Sequence, residues 1–215
     1  MRTALVTGGT VRLGRAIAER LRADGWRVLT SSHRADAGAD IVADLSEPMG
    51  AARLYAAALR LLDGNPPDAL VNNAALFTGD DAAIAAVNLE APRKLTTLMA
   101  GRESGVGAVV NVLDAKALDG TRSQPAAAGG YRSSKRALLD YTRSAAATFA
   151  ATLRVNAVAP GPVLAPVGVR ERAGEMLLDR RPSPEDVAAA VAYLLAAESV
   201  TGVTIPVDSG QHLIG

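Results

Sequence analysis

The hydrophobic and polar positions of the chain fall into two alternating kinds of stretch. Short, mostly apolar runs are typical of buried strands, and longer stretches with apolar residues at helical spacing are typical of amphipathic helices. The predicted strands are Arg2–Thr7, Arg27–Ser32, Ile41–Ala43, Asp68–Val71, Val106–Leu113, Leu153–Val158 and Val203–Ile205 together with Val207. The predicted helices are Arg15–Asp24, Glu47–Leu62, Asp80–Gly101, one that begins near Tyr131 and one that runs from Ser183 to Leu195. This alternation predicts an α/β fold over residues 1–215 as a single domain, with helices on both faces of a parallel, doubly wound sheet.

Most of the glycine and polar residues that are candidates for ligand binding lie at the ends of the predicted strands. In a doubly wound sheet, ligands bind outside the carboxyl ends of the strands, where the strand order reverses. The segments that follow predicted strands are Gly8–Gly14, His33–Arg34, Asn72–Ala75, Asp114 and Pro160–Gly161. The sequence therefore predicts one ligand site at this edge, with Tyr131 and Lys135 beside it on a helix.

A glycine-rich turn lies between the first predicted strand and the first predicted helix. Gly8 allows the chain to turn tightly, and Gly14 allows the helix to pack close to the strand. The N–H groups and the positive dipole end of the helix would then face a pyrophosphate. This context predicts a dinucleotide-binding turn.

The second predicted strand ends in hydrogen-bond donors, among them His33 and Arg34. This position meets the adenosine ribose in a dinucleotide-binding sheet, where an acidic residue would repel a phosphate. Asp36 lies past the strand end. The donors and the cation favour a 2′-phosphate, so NADPH/NADP+ is predicted over NAD(H). The alternative is that Arg34 is a solvated loop residue.

Tyr131 and Lys135 are four residues apart and therefore share one face of a helix. An ammonium beside a phenol lowers the tyrosine pKa from its usual value of ~10, which predicts a proton donor usable near neutral pH. On its own the pair could equally be a packing tyrosine and a solvated lysine. Asp114 ends the preceding strand and either takes part in the chemistry or caps a nearby turn.

Local signals in the helices add further expectations. Asn88 lies near the middle of the helix predicted over Asp80–Gly101, where asparagine is unfavourable, so it either faces solvent or bonds backbone at a distortion. Pro48 fits the first turn of its helix, and Ser183 precedes Pro184 as an N-cap. Residues 163–179 have the length and prolines of a lid over a site.

Composition excludes several classes of function. The chain has 215 residues, no cysteine and a net charge of +1 without a basic tract, which excludes thiol chemistry and gives no footprint for nucleic acid. Its two histidines are far apart, so no metal site is predicted. No apolar run is long enough to cross a membrane, and the first residues lack a signal pattern. We expect a cytoplasmic protein with a small-molecule substrate.

Taken together, these residues resemble the short-chain dehydrogenase/reductase family across essentially the whole chain. The resemblance implies a seven-stranded Rossmann-type sheet and a homo-oligomer, usually a tetramer. It implies that Tyr131 is the general acid/base, that Lys135 binds the nicotinamide ribose and tunes Tyr131, that Asn88 holds a water in the proton path and that Asp44 contacts adenine. The cofactor contacts it implies are Gly8, Thr10, Arg12, Leu13, Gly14, His33, Arg34, Asp44, Leu45, Asn73, Ala74, Tyr131, Lys135, Pro160, Gly161 and Val163.

Two departures from the family pattern are informative, because both resemble its pteridine reductase branch. Arg12 replaces the middle glycine of the turn, and Asp114 replaces the usual serine. The segments His33–Arg34, Asn72–Phe77 and Val200–His212 are also similar to that branch. The resemblance implies that Arg12 lies near the pyrophosphate and the pterin, that Phe77 stacks on the pterin, and that Asp114 acts with Tyr131 in proton delivery. Phe77 could instead pack in the core.

The sequence thus predicts an NADPH-dependent reductase that transfers hydride to a pterin-like C=N bond, with Tyr131 as the proton donor. An alternative is an NADP(H)-dependent carbonyl reductase or alcohol dehydrogenase that acts on a different small molecule. A third hypothesis is a catalytically idle NADP(H)-binding sensor, suggested by the loss of the serine at Asp114 and opposed by the retention of Tyr131 and Lys135.

Overall fold

The predicted strands form one parallel sheet in the computed structural model, which describes residues 1–103, 105–118, 129–164 and 175–214. The strands are β1 (Thr3–Thr7), β2 (Arg27–Ser32), β3 (Ile41–Val42), β4 (Ala69–Asn72), β5 (Gly107–Val112), β6 (Leu153–Pro160) and β7 (Thr204–Val207). They lie in the order β3-β2-β1-β4-β5-β6-β7, and every neighbouring pair is parallel. The order reverses between β1 and β4, where such a sheet opens a ligand crevice. The predicted doubly wound α/β fold is confirmed.

Helices cover both faces of this sheet. The α-helices in the described ranges are α1 (Arg12–Ala23), α2 (Gly50–Leu61), α3 (Asp81–Ala85), α4 (Ala91–Ala100), α5 (Gly129–Thr148) and α6 (Pro184–Ala196). A π-helical turn, Ala86–Glu90, joins α3 to α4. Short 3₁₀ turns lie at Ala35–Ala37, Ala115–Ala117 and Gln211–Leu213. Within the described residues, none of these helices is long and apolar enough to span a membrane.

Two aliphatic cores lie on opposite faces of the sheet, because successive strand residues point to opposite sides. Ala4 and Val6 of β1 pack with α1 and α6, whereas Leu5 packs with α2 and α4. Leu5 and Val6 are fully buried. These cores fix the central strands, and the residues at the carboxyl ends of those strands are therefore held in place.

Three helix starts or interiors differ from the prediction. Helix α1 begins at Arg12 rather than Arg15. Helix α2 begins at Gly50, so Pro48 precedes it instead of occupying its first turn. Gly50 packs directly on the backbone of Asp44. The helix predicted over Asp80–Gly101 is interrupted by the π turn. The cap of α6 is confirmed, since the Ser183 side chain accepts from the Asp186 N–H at 3.2 Å and Asp186 accepts from the Ser183 N–H at 2.8 Å.

Candidate active site

The glycine turn after β1 has the backbone conformation that its residues predict. Gly8 has a φ of 62°, in the left-handed region that favours glycine. A side chain at Gly14 would collide with the Gly8 carbonyl and the Asn73 amide. Arg12, where the family has glycine, has a φ of 51° and is exposed. The turn therefore keeps the left-handed backbone of a glycine turn at a position that carries an arginine.

Hydrogen bonds to backbone fasten this turn to the end of β4. The Asn73 side chain donates to the Thr7 carbonyl at 2.9 Å and to the Gly8 carbonyl at 3.2 Å. The Thr7 hydroxyl accepts from the N–H groups of Asn73 at 2.9 Å and Ala74 at 3.0 Å. Asn73 thus positions the turn with its side chain. Thr7 was missed by the sequence analysis, although a polar residue that closes an apolar strand beside a glycine turn was a signal.

The remaining cofactor-side residues lie where the strand pattern places them. Thr10 and Leu13 are half-buried in the turn and in the first turn of α1, and Leu13 packs against the core. Asp44 accepts from the Ser46 hydroxyl at 2.6 Å and from the Ser46 N–H at 2.8 Å, and these hydrogen bonds hold the Asp44 pKa below its usual value. Leu45, which follows Asp44, is buried.

The charged residues after β2 form an exposed ion pair. The Arg34 guanidinium donates to both carboxylate oxygens of Asp36, at 3.0 and 2.7 Å, and the two side chains are 64% and 69% exposed. This hydrogen bond and the charge of Arg34 lower the Asp36 pKa. His33 is exposed beside them. A phosphate that binds Arg34 would have to displace the Asp36 carboxylate from the guanidinium or share the guanidinium with it.

The catalytic candidates at the end of β5 and the start of α5 come together. The Tyr131 hydroxyl donates to Asp114 Oδ2 at 3.2 Å, and Asp114 Oδ1 accepts from the Lys116 N–H at 2.9 Å. Asp114 therefore caps the 3₁₀ turn Ala115–Ala117, which confirms one of its two alternatives, and it also contacts the phenol. Its part in the chemistry stays a prediction. Lys135 is buried, donates to the Val112 carbonyl at 2.8 Å, and its Nζ lies 5.8 Å from the centroid of the Tyr131 ring.

The expectation that Lys135 lowers the pKa of Tyr131 is wrong for this structure. Burial, followed by the charge of Asp114 and the hydrogen bond to it, raises the Tyr131 pKa above its ordinary value. Burial also lowers the pKa of Lys135 to about 8, against the opposing charge of Asp114. The spacing of four residues could not show either that the lysine is buried or that the phenol bonds a carboxylate.

Asn88 is fully buried and bonds backbone at the π turn, which confirms one of its two predicted alternatives. Its side chain accepts from the Leu76 N–H at 2.8 Å and donates to the Leu76 carbonyl at 2.9 Å. It also donates to the Ser134 hydroxyl at 3.1 Å, and Ser134 donates to the Tyr131 carbonyl at 2.7 Å. Asn88 thereby links the loop before Phe77 to the first turns of α5. Ser134 was missed because its role depends on this contact.

Phe77 lies against Tyr131 at the surface. The two ring centroids are 4.8 Å apart with an interplanar angle of 60°, and Phe77 is 64% exposed. This exposure excludes the core-packing alternative, because a core phenylalanine is buried. The Phe77 side chain is therefore exposed to solvent beside the candidate proton donor.

The far end of the site is built from the ends of β6 and β7. Pro160 ends β6, the Gly161 N–H donates to the Val207 carbonyl at 3.0 Å, and Val163 is buried. Gly161 packs directly on Asp208, so a larger residue at this position would collide with it. Residues 165–174 of the predicted lid lie outside the described residues. Among the described residues, no group of three or more metal-ligating side chains clusters.

Comparisons with known proteins agree with this geometry. A family model described as enoyl-(acyl carrier protein) reductase matches residues 11–212. The crystal structure of FolM alternative dihydrofolate reductase 1 from Brucella canis, complexed with NADP, is 32% identical, with a TM-score of 0.84 over 99% of this chain and 94% of that one. A short-chain dehydrogenase from Burkholderia cenocepacia in complex with NADP is 26% identical, with a TM-score of 0.86 over 97% of each chain.

A curated relative is also similar to this chain in amino-acid sequence. Glucose 1-dehydrogenase 2 of Bacillus subtilis is 30% identical over 99% of this chain and 95% of the relative. The relatives named here differ in their substrates, although they share the fold and the family. The family match over nearly the whole length, together with the Tyr131–Lys135 pair at the edge of the sheet, shows that this chain belongs to the short-chain dehydrogenase/reductase family of oxidoreductases.

Proposed function

We propose that this protein is an NADPH-dependent reductase that transfers hydride to a C=N bond of a flat, pterin-like acceptor, with Tyr131 as the proton donor. The observation that carries the proposal is the contact of one phenol with both a carboxylate and an exposed aromatic ring. Tyr131 donates to Asp114 and lies 4.8 Å from the ring of Phe77. The FolM structure, named as a dihydrofolate reductase, supports the same substrate class.

The cofactor side of the crevice fits a dinucleotide with a 2′-phosphate. Gly8 turns the chain tightly, and the close approach of Gly14 to the Gly8 carbonyl brings the start of α1 against the end of β1, which is the arrangement that receives a pyrophosphate in this fold. His33 and Arg34 stand at the end of β2, where the adenosine ribose binds in this fold. NADPH supplies the hydride when bound. Pro160, Gly161 and Val163 would border the nicotinamide end, and Lys135 would bind the ribose with the donors it does not use for Val112.

The electrostatics around Tyr131 keep the phenol in its neutral form, which is the form that a reduction consumes. Burial and then the negative charge of Asp114 raise its pKa, so Tyr131 is protonated but is a weaker acid than a free phenol. Proton donation would therefore depend on the negative charge that develops on the acceptor as it takes up the hydride. The Asp114 carboxylate can also accept paired N–H donors of an amino-pyrimidine, which a serine hydroxyl does less well.

Phe77 supplies the surface on which a flat acceptor would lie. An aromatic ring exposed beside the proton donor favours stacking of a planar heterocycle. Such stacking would hold the acceptor carbon at reacting distance from the nicotinamide, which is worth several orders of magnitude in rate. Arg12, the first residue of α1, would face the same acceptor or the pyrophosphate.

A substrate panel with NADPH tests the proposal. We expect NADPH oxidation with dihydropterins and little with simple ketones. The second candidate, a carbonyl reductase or alcohol dehydrogenase, is favoured by the likeness to glucose 1-dehydrogenase 2. Turnover of ketones or sugars without turnover of dihydropterins would establish that alternative in place of pterin reduction.

The assembly of the protein is a separate proposal that rests on the family resemblance. We propose a homotetramer in the cytoplasm. Light scattering coupled to size-exclusion chromatography would give the subunit number, and a monomer at micromolar concentration would contradict it.

A further inference from the structure

A buried carboxylate lies at the same edge of the sheet, next to the far end of the candidate site. Asp208 follows β7 and is 3% exposed. Its Oδ1 accepts from the Gly210 N–H at 3.0 Å, and its Oδ2 accepts from the His212 N–H at 2.7 Å. Oδ2 also bonds His212 Nδ1 at 2.8 Å. A buried carboxylate needs such partners, and here it fixes both the backbone and the ring of His212.

The tail that carries His212 touches both halves of the candidate site. Asp208 packs directly on Gly161 at the end of β6. The 3₁₀ turn Gln211–Leu213 packs against the 3₁₀ turn Ala115–Ala117, which Asp114 caps. His212 is therefore held on the short segment that connects the cofactor side of the crevice with the turn next to the proton donor.

The same tail also anchors the return of the predicted lid. The N–H groups of Leu177 and Leu178 both donate to the Ser209 carbonyl at 3.0 Å. The Ser209 hydroxyl donates to the Arg180 carbonyl at 2.6 Å, and Ser209 itself has a φ of 55°. A serine in the left-handed region is uncommon and persists where the surroundings hold it. The position of His212 is thus set by hydrogen bonds on both sides.

One nitrogen of the ring has no bond within this network. Nδ1 faces Asp208, whereas Nε2 makes no hydrogen bond to any described residue, and the side chain is 24% exposed. The nitrogen that a carboxylate holds determines what the other nitrogen offers: a lone pair in the neutral ring and a donor in the protonated one. If position 212 served only to fill space, an apolar residue could do so and no buried carboxylate would be needed beside it.

We propose that His212 is a substrate-binding residue whose Nε2 hydrogen-bonds the polar edge of the acceptor molecule, away from the bond that is reduced. This rests on the proposed function and deepens it, because for a pterin that edge is the pyrimidine ring with its amide and amino groups. Asp208 is the positioning residue that orients the imidazole. Phe77 would hold the face of the acceptor, and His212 would hold its rim.

Two substitutions separate a binding role from a structural one. His212→Asn places an amide N–H near the position of Nδ1, so it keeps the bond to Asp208 and removes Nε2. His212→Gln places its amide near Nε2 and loses the bond to Asp208. We expect His212→Asn to raise the KM of the acceptor about tenfold, the effect of losing one hydrogen bond. Its kcat, NADPH affinity and melting temperature should stay near wild type.

The Gln variant should show the opposite pattern, with an acceptor KM closer to wild type and a lower melting temperature. Leu213→Ala, in the same turn and 69% exposed, is the control and should change neither. An acceptor KM for His212→Asn equal to that of wild type would overturn the proposal. A rise in KM that only accompanies weaker NADPH binding and lower stability would overturn it as well.

The variants are assayed on whichever acceptor the wild type reduces, a dihydropterin or a simple ketone. The two proposals can then fail separately. Wild-type turnover of ketones alone would contradict pterin reduction, while the KM ratio of the His212 variants would still decide the role of this residue.

Discussion

The two halves of the candidate site are built by different means. The cofactor half is held by glycines and by side chains that bond backbone, such as Asn73 to the Thr7 and Gly8 carbonyls. The substrate half is held by contacts between side chains, such as Tyr131 with Asp114 and with Phe77. Backbone conformation follows from residue types, so the cofactor half can be predicted from the sequence. The chemistry of the substrate half depends on which side chains meet and how deeply they are buried.

This difference predicts that the halves can be broken independently. A change at the substrate half should alter turnover and leave NADPH binding intact. A change at the cofactor half should affect folding or NADPH binding before it affects chemistry.

The largest effect is expected for Tyr131→Phe. Removing the proton donor should lower kcat by ~10²–10⁴-fold, the usual contribution of general acid catalysis. NADPH affinity, measured by quenching of protein fluorescence, should fall far less than kcat, because only the contact of the Tyr131 hydroxyl itself is lost and those of the glycine turn remain. Unchanged turnover would show that Tyr131 is not the acid.

Gly14→Ala should damage the cofactor half through packing. The new methyl group meets the Gly8 carbonyl and the Asn73 amide, so we expect a loss of ~1–3 kcal/mol or more in the free energy of unfolding. Urea denaturation measures it. Gly101→Ala is the matched control, since its nearest contact would be the Leu98 carbonyl at an ordinary 3.4 Å. Equal stability of the two variants would contradict the close approach.

Substitutions of Arg34 and Asp36, the ion pair after β2, should change the affinity for NADPH in opposite directions. Arg34→Ala should weaken NADPH binding about tenfold or more and leave NADH binding unchanged, because a charge-assisted bond to the 2′-phosphate is lost. Asp36→Asn should strengthen NADPH binding, since it removes the carboxylate that now holds the guanidinium. If both variants bind NADPH like the wild type, Arg34 does not contact the phosphate.

The most gradual effect is a pH dependence from Lys135. Its lowered pKa, about 8, means that the amine is charged below that pH and neutral above it. If the charged form binds the ribose, the KM for NADPH should rise with pH above about 8, by up to about tenfold for each unit. Lys135→Met should remove this rise while having a higher KM throughout. A wild-type KM that stays flat up to pH 9.5 would rule out the charged form as the binding form.

What could be predicted from the sequence follows the same division between the cofactor half and the substrate half. The alternation of strands and helices, the turn at Gly8–Gly14 and the shared helix face of Tyr131 and Lys135 follow from periodicity, residue type and helix spacing. The sequence offered a distortion at Asn88 as one of two alternatives, and the structure has a π turn there. The bond of Asn88 to Ser134 could not be predicted, because only the fold brings these two residues together.

The charge state of the site shows the same limit. The spacing of Tyr131 and Lys135 predicted a lowered tyrosine pKa, and the structure raises it, first because the phenol is buried and then because the Asp114 carboxylate accepts its hydrogen bond. The Asp208–His212 pair was also missed. Two residues four apart in a tail gave no signal without the burial of Asp208.

The central claim is that the carboxylate at position 114 adapts this fold to a pterin-like acceptor. Asp114→Ser restores the residue usual in the family, and the measurement is kcat/KM with NADPH for a dihydropterin and for a simple ketone. We predict a fall of about ten- to a hundredfold for the dihydropterin, with the ketone at or above its wild-type value. Equal changes for both acceptors, or an undiminished rate with the dihydropterin, would contradict the account.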